Sequence, residues 1–130
     1  MRTLISILAL AVICASVAYA AQREQFRRID LHELYGQINS QSFNGQLPDV
    51  DIKFSDLTAE RGVTRWMEDG SFIIDVDRAS NPNERELRDT VQHEACHIAT
   101  LPNIEPGADH GPAFQNCMAR FTLNGRSVNY

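Results

Sequence analysis

The strongest constraint on the fold is one long amphipathic helix, predicted over residues 82–101. Asn81 can cap its start, Pro82 suits a first helical position, Glu84 adds a first-turn carboxylate, and Pro102 ends the helix. At about 100° per residue, one side of this helix carries an apolar stripe. The stripe consists of Leu87, Val91, Ile98 and Leu101. A helix of this kind is stable only against another layer, which the rest of the chain has to supply.

Three segments ahead of this helix have the alternation or the β-branched content of strands. They are residues 50–54, 62–67 and 71–77. Between the second and third segments, Glu68, Asp69 and Gly70 form a turn signal. This turn predicts that the two segments form a hairpin.

Helices are predicted at both ends of the domain. Residues 24–39 carry apolar residues at helical spacings, and these would form one buried face. The face consists of Phe26, Ile29, Leu34 and Ile38. Pro112 opens a last helix, whose apolar face consists of Phe114, Met118 and Phe121. The 130 residues suffice for one domain. Their order predicts a small α+β domain with a three-stranded, mostly antiparallel sheet.

The first twenty residues predict a secretory signal peptide. Arg2 precedes an apolar run from Leu4 to about Val17, and Ala18-Tyr19-Ala20 fits the cleavage pattern of such signals. The alternative is an uncleaved membrane anchor, although the run is short for a span. We therefore expect a signal over residues 1–20 and a mature domain over 21–130, secreted or periplasmic and without a stable membrane span.

Composition makes nucleic acid an unfavoured partner. The formal net charge is −5, and Lys53 is the single lysine of the chain. A nucleic-acid binder normally presents a basic patch or stripe, and the sequence has no block of Lys or Arg. Apolar residues make up 43% and charged residues 22%, as in globular proteins.

The central helix carries the pattern HExxH at residues 93–97. His93 and His97 are one turn apart, so both imidazoles can bind one metal ion, and Glu94 can reach a metal-bound water. Zn²⁺ held by neutral histidines lowers the pKa of that water towards ~7, and the carboxylate can then take its proton. Alternatively, these residues lie on an ordinary solvated face of the helix.

A catalytic zinc site needs a third protein ligand and an open position. Thr100 and Asn103 stand where metzincins have Gly and His, which excludes that class. Glu105 lies in a proline-flanked loop, unlike the helical glutamate of gluzincins. Asp109 and His110, at the start of the last helix, remain. His110 is the better zinc donor, and Asp109 can orient a neighbouring ligand.

HEACH followed by DHGPAF resembles the SprT-like metallopeptidases, whose signature is HExxH and a later H-G-x-x-F element. FNGQLP, followed by Val50 and Ile52, and RGVTRW extend the resemblance to roughly residues 34–121. It implies a zincin-type fold, zinc bound by His93, His97 and His110, and Glu94 as the general base. It also implies that an edge strand aligns an extended substrate, and SFIIDVD would be that strand.

The chain departs from the family members that act on DNA–protein crosslinks inside cells. Those proteins carry DNA-binding or zinc-ribbon additions, whereas this sequence is acidic, has no CxxC pair and begins with the predicted export signal. The resemblance therefore implies the family's catalytic residues here without its role on DNA.

Two cysteines remain once Cys14 is removed with the signal. Cys96 and Cys117 lie on the two predicted ligand-bearing helices, and an oxidising compartment permits a disulfide between them. Two unpaired residues are equally compatible with the sequence, because sequence does not report Cα separation. The helical wheel places Cys96 on the polar side with Asp89. As a fourth zinc ligand, either cysteine would make the site structural rather than catalytic.

The sequence thus predicts an exported, zinc-dependent peptidase that cleaves a protein or peptide substrate. One alternative is a non-catalytic zinc-binding or protein-binding domain. Another is an intracellular protease linked to DNA–protein complexes, if residues 1–20 are not a signal. Arg120 and Tyr130 are the unsupported candidates for stabilising the oxyanion. Cleavage preference, regulation and oligomeric state are not encoded in a readable form.

Overall fold

The structure, a computed structural model, describes the backbone of residues 2–101 and 109–122 and the side chains of residues 11–101 and 109–121. Its elements follow the predicted order, with one helix more. They are α1 (Arg2–Arg27), α2 (Leu31–Phe43), β1 (Val50–Ser55), β2 (Gly62–Trp66), β3 (Phe72–Asp77), α3 (Glu84–Thr100) and α4 (Pro112–Thr122). The α+β class is confirmed.

The helix predicted over residues 24–39 is two helices. Asp30 interrupts it, because its Oδ1 accepts hydrogen bonds from the backbone N–H groups of His32 at 2.8 Å and Glu33 at 3.2 Å. These are amides of the first turn of α2, so Asp30 is its N-cap. The predicted apolar face survives the break. Leu34 and Ile38 are buried, and Phe26 and Ile29 pack partly buried against the same core.

The first helix, α1, contains the predicted signal segment. The proposed cleavage pattern Ala18-Tyr19-Ala20 lies within α1 on exposed residues. Among the described residues, no helix combines the length and the apolar character needed to cross a membrane. The signal peptide itself stays a prediction.

The sheet is mixed, with the order β1-β3-β2. β2 pairs with β3 antiparallel, as the predicted hairpin requires, whereas β1 pairs with β3 parallel. One of the two pairings therefore differs from the mostly antiparallel sheet that we predicted. The expectation that residues 71–77 form an edge strand is also wrong, because β3 lies in the centre. A strand's apolar pattern indicates which of its faces is buried, and it does not indicate which strands become its neighbours.

The turn between β2 and β3 has the predicted chemistry. Gly70 has a φ of +86°, which glycine adopts without a steric penalty. Met67 N–H donates to the carbonyl of Ser71 at 2.9 Å and closes the hairpin. The Asp69 carboxylate accepts from the N–H and the hydroxyl of Ser71. Asp69 and Gly70 therefore supply the hydrogen bonds and the backbone conformation that the turn requires.

α3 packs its apolar stripe on the sheet, but it begins later than predicted. Its N-cap is Asn83, whose side chain accepts from the N–H of Glu86. Asn81, the predicted cap, is fully buried and instead links the end of β3 to α3. Its amide donates to the carbonyl of Asp77 at 2.6 Å, and its oxygen accepts from the hydroxyl of Thr90 at 2.6 Å. The core lies between this helix, α2 and the sheet.

Candidate metal centre

Three histidines meet at one point of the structure. His93 and His97 lie one turn apart on α3, and His110 lies two residues before the start of α4. The Nε2 atoms of His93 and His97 are 3.2 Å apart, and those of His93 and His110 are 3.1 Å apart. One ring nitrogen from each histidine lies within 4.8 Å of the others. The structure thus brings the three predicted ligands together.

The spacing of these nitrogens fits a tetrahedral metal ion. Bonds of about 2.0–2.1 Å at tetrahedral angles separate two zinc-bound nitrogens by roughly 3.3 Å. The observed separations of 3.2 Å and 3.1 Å are close to that value. Three imidazoles are also a donor set that leaves a fourth position for water or substrate. The cluster could therefore hold a divalent metal ion of the zinc type.

The electrostatics of the histidines favour their neutral, ligating form. Burial, together with the nearby His97 and His110, lowers the pKa of His93 to about 4. Burial and His110 also lower the pKa of His97, while the negative charge of Asp109 raises it and partly offsets that change. Neutral imidazoles present the lone pairs that a metal needs. Asp109 is exposed and acts on His97 through its charge.

Phe114 supports the cluster from α4. Its ring centroid lies 4.8 Å from that of His93, 4.6 Å from that of His97 and 4.6 Å from that of His110. Phe114 is buried, so its ring is itself held by the core. One aromatic side chain thus limits the rotation of all three imidazoles. Phe114 is the phenylalanine of the H-G-x-x-F element, and its place on the apolar face of the last helix did not predict this contact with the histidines.

Glu94 is buried beside the histidines and is held by the sheet. Its side chain is 3% exposed, and burial raises its pKa to about 7, although a hydrogen bond from Thr64 lowers it. The hydroxyl of Thr64, on β2, donates to Glu94 Oε2 at 2.7 Å. A carboxyl group with a pKa near neutrality can both accept and release a proton at physiological pH. The sequence alone did not identify Thr64 as its partner.

Gly62 allows β2 to lie this close to α3. A Cβ atom at this position would come within 2.7 Å of Thr90 Cγ2 and 2.9 Å of Glu94 Oε1. Real Cβ atoms do not approach other atoms so closely, so any larger residue would push the strand and helix apart. Gly62 is therefore required by the same contact that buries Glu94. A lone glycine in a strand pattern is a sign of such close backbone approach.

A disulfide joins the two helices of the site. Cys96 on α3 is bonded to Cys117 on α4, with a Cα–Cα distance of 5.7 Å. Cys96 is fully buried, so its assignment to the polar side of the helix was wrong. The reason is that α4 covers that side of α3 while the sheet covers the other. As a disulfide, neither sulfur is a thiolate that could act as a fourth ligand.

A cleft of about 960 Å³ leads to the cluster. Side chains of β2, α3 and the start of α4 line it, including the three histidines and Glu94. Arg120 lies elsewhere, since it donates to the carbonyl of Ser42 at 3.3 Å and its guanidinium stacks on Phe43. Tyr130, the other candidate for stabilising the oxyanion, is outside the described residues. The fourth histidine, His32, is exposed on α2.

Comparison with known proteins supports the same grouping. No curated protein matches the sequence. Among protein families, residues 31–129 match the SprT-like family. The matched region includes β2, the HExxH helix and His110, the segments on which the resemblance in the sequence rested. Because the match covers most of the chain, the protein belongs to the SprT-like family.

Proposed function

We propose that this protein is a zinc-dependent metallopeptidase that hydrolyses peptide bonds outside the cytoplasm. The observation that carries the proposal is the position of Glu94 beside three converging histidines. His93, His97 and His110 would hold the metal, and Glu94 would be the general base. When bound, zinc supplies a Lewis acid that acidifies water and polarises the scissile carbonyl.

Glu94 has the properties that a general base needs. Thr64 holds one carboxylate oxygen by a 2.7 Å hydrogen bond, which leaves the other oxygen for the attacking water. Because burial raises its pKa to about 7, Glu94 can take a proton from the water and then deliver it to the leaving amine. Gly62 keeps the strand against this carboxylate, so its orientation is set by packing rather than by solvent.

The geometry of β2 supports a polypeptide as the substrate. Backbone groups of Arg61 and Met67 bond to Asp77 of β3 and to Ser71 just before it, so the positions between them alternate, and every second one faces the opposite edge of β2. The outward-facing positions are Gly62, Thr64 and Trp66. No other strand of the described chain pairs with this edge. An extended peptide can add to it by main-chain hydrogen bonds beside the histidine cluster.

Export is part of the proposal. The apolar segment over residues 1–20 has the sequence of a secretory signal, and the disulfide between Cys96 and Cys117 is typical of oxidising compartments. Both features weigh against the alternative of intracellular proteolysis at DNA–protein complexes. The net charge of −5 weighs in the same direction.

A non-catalytic zinc-binding domain is the second candidate, and Glu94 argues against it. A buried carboxyl group with a raised pKa destabilises the fold when it ionises. A domain that only bound metal or a partner would have no use for that group next to its ligands. A reaction that needs a proton acceptor gives it a role.

One matched pair of variants and one further substitution test the proposal on the mature protein. For the metal, His110→Ala should abolish stoichiometric zinc binding, whereas His32→Ala, on an exposed histidine outside the cluster, should keep it. For the chemistry, Glu94→Gln should keep the zinc and lose cleavage of a chemically unfolded protein. Wild-type protein should bind one zinc and cleave the same substrate.

Equal cleavage by the wild-type protein and the Glu94→Gln variant would contradict the assignment of the general base. Stoichiometric zinc binding that survives His110→Ala, or that is lost in His32→Ala, would contradict the assignment of the third ligand. Finding residues 1–20 attached to protein in the cytoplasm would contradict export and leave the peptidase assignment intact.

A further inference from the structure

We propose that Trp66 forms an apolar subsite that selects substrate segments with a large apolar side chain next to the scissile bond. This inference rests on the proposed peptidase function and names the substrate class of that site. It assigns the protein to unfolded or extended polypeptides, because folded proteins bury such side chains.

Trp66 is a large apolar side chain that the fold leaves exposed to solvent. It is the last residue of β2, and 65% of its surface is accessible. Among the large apolar side chains described outside α1, only Trp66 and Met67 are exposed. A single exposed apolar residue is ordinary, but Trp66 lines the cleft that contains the histidines. Exposed aromatic residues in a concave site are common anchors for binding partners.

Trp66 lies on the same face of β2 as the residue that holds Glu94. Side chains alternate along a strand, so Thr64 and Trp66 point to the same side, towards α3. Two residues of strand separate their Cα atoms by about 7 Å. Trp66 is therefore the next side chain along this face from Thr64, the residue that holds the Glu94 carboxylate. Its partner across the hairpin is Phe72, which is half-buried and lines the same cleft.

The two ends of the cleft differ in character. Glu60 and Arg61 line one end, and Arg61 is paired with Glu86 at 3.2 Å. Trp66 and Phe72 make the other end aromatic. A peptide added to β2 would place a side chain directly against Trp66, at the distance of cross-strand neighbours. A large apolar side chain would remove the tryptophan surface from water, whereas a charged one would lose hydration without a partner.

The chain offers a direct probe, because Trp66 is its single tryptophan. Its fluorescence can be followed in the zinc-loaded Glu94→Gln variant, which should bind peptides without cutting them. Tryptophan-free peptides with one Phe in a polar background should shift the emission to shorter wavelength in a saturable way. Peptides with Asp in place of that Phe should bind at least about tenfold more weakly.

Cleavage maps give the second measurement. Wild-type protein acting on a chemically unfolded protein should cut preferentially where a large apolar residue occupies one fixed position relative to the cut. Trp66→Ala should lower that preference by about tenfold or more, and Trp66→Phe should keep most of it. Met67→Ala is the matched control, since Met67 is also exposed but points to the other face of the strand.

An unchanged preference in Trp66→Ala, or saturable peptide binding without any change in tryptophan emission, would overturn the subsite. Absence of cleavage by the wild-type protein would contradict the proposed function instead. The fluorescence titration still decides on the subsite in that case, because it requires binding alone. Zinc content of every variant, measured alongside, separates loss of the subsite from loss of the fold.

Discussion

Replacing Glu94 by glutamine in the metal-free protein should reveal the energetic penalty of burying this carboxyl group. The substitution keeps the shape of the side chain and an oxygen that can accept the Thr64 hydroxyl, but it removes the ionisable proton. Burial raises the pKa of Glu94 from an ordinary 4.5 to about 7, so the folded state resists its ionisation.

The sign of the change in stability follows from comparing the ionisation of Glu94 in the folded and unfolded states. Below about pH 4.5 the carboxyl is protonated in both states and there is no penalty. As the pH rises through about 7, the unfolded state ionises freely while the folded state has to bury a charge. The pKa difference corresponds to a loss of about 3 kcal/mol in the free energy of unfolding. Because Glu94 is only 3% exposed, solvent screens little of this loss.

Glu94→Gln is therefore expected to raise the free energy of unfolding by about 3 kcal/mol at about pH 8 and by less than about 1 kcal/mol at about pH 5. Chemical denaturation with the disulfide intact and a chelator present measures both values. Protonation of His93 affects both proteins and largely cancels in the comparison. Glu68→Gln, in the exposed hairpin turn, controls for the loss of one negative charge.

Equal stability of the two proteins at both pH values would refute the reasoning, as would a Gln variant that is less stable at the higher pH. Added zinc provides a further check. The positive charge of a bound metal favours the ionised carboxylate, so the advantage of glutamine should shrink when zinc is present.

Three further predictions concern the supports of the site. Thr64→Val should lower cleavage about tenfold or more at unchanged zinc content, and Thr64→Ser, which restores the donor, should recover most of it in the same assay. Gly62→Ala should lower the free energy of unfolding by about 1–3 kcal/mol because its Cβ collides with the helix, whereas Gly36→Ala, with open space around it, should raise it by up to about 1 kcal/mol. Removing the disulfide by Cys96→Ala and Cys117→Ala should lower the free energy of unfolding by about 3 kcal/mol for the 21-residue separation and weaken zinc affinity in a competition titration. A Gly62→Ala variant as stable as the wild type, unchanged zinc affinity without the disulfide, or failure of serine to recover activity would contradict the respective roles.

Local sequence features predicted most of the secondary structure because their causes are local. Gly70 and Asp69 fit the hairpin turn by their own conformational preferences and hydrogen bonds, and Pro112 begins α4 as predicted. The same local chemistry explains the errors. Asp30 and Asn83 act as caps, while the pattern favoured a continuous first helix and Asn81 as the cap. Several residues near each boundary can cap, and packing selects among them.

Two errors had a different origin, since they concern neighbours rather than local conformation. The residue pattern of the segment 71–77 predicted a strand. The central position of β3 in the sheet depends instead on which edge of the hairpin β1 pairs with. Cys96 lies on the polar side of a helical wheel, but it is fully buried in the structure. A helical wheel with a single buried face does not describe α3, because α4 packs against it in addition to the sheet.

The sequence by itself determined the pair His93 and His97, because a spacing of four on a helix places two side chains one turn apart. The resemblance to a family extended the set to His110. Only the tertiary structure decided how closely His110 approaches, since that depends on how α4 packs on α3. It also decided the environment of Glu94, whose pKa depends on burial beneath β2 and on the Thr64 hydroxyl. Burial and contacts across the fold are properties of the assembled layers, and no single segment encodes them.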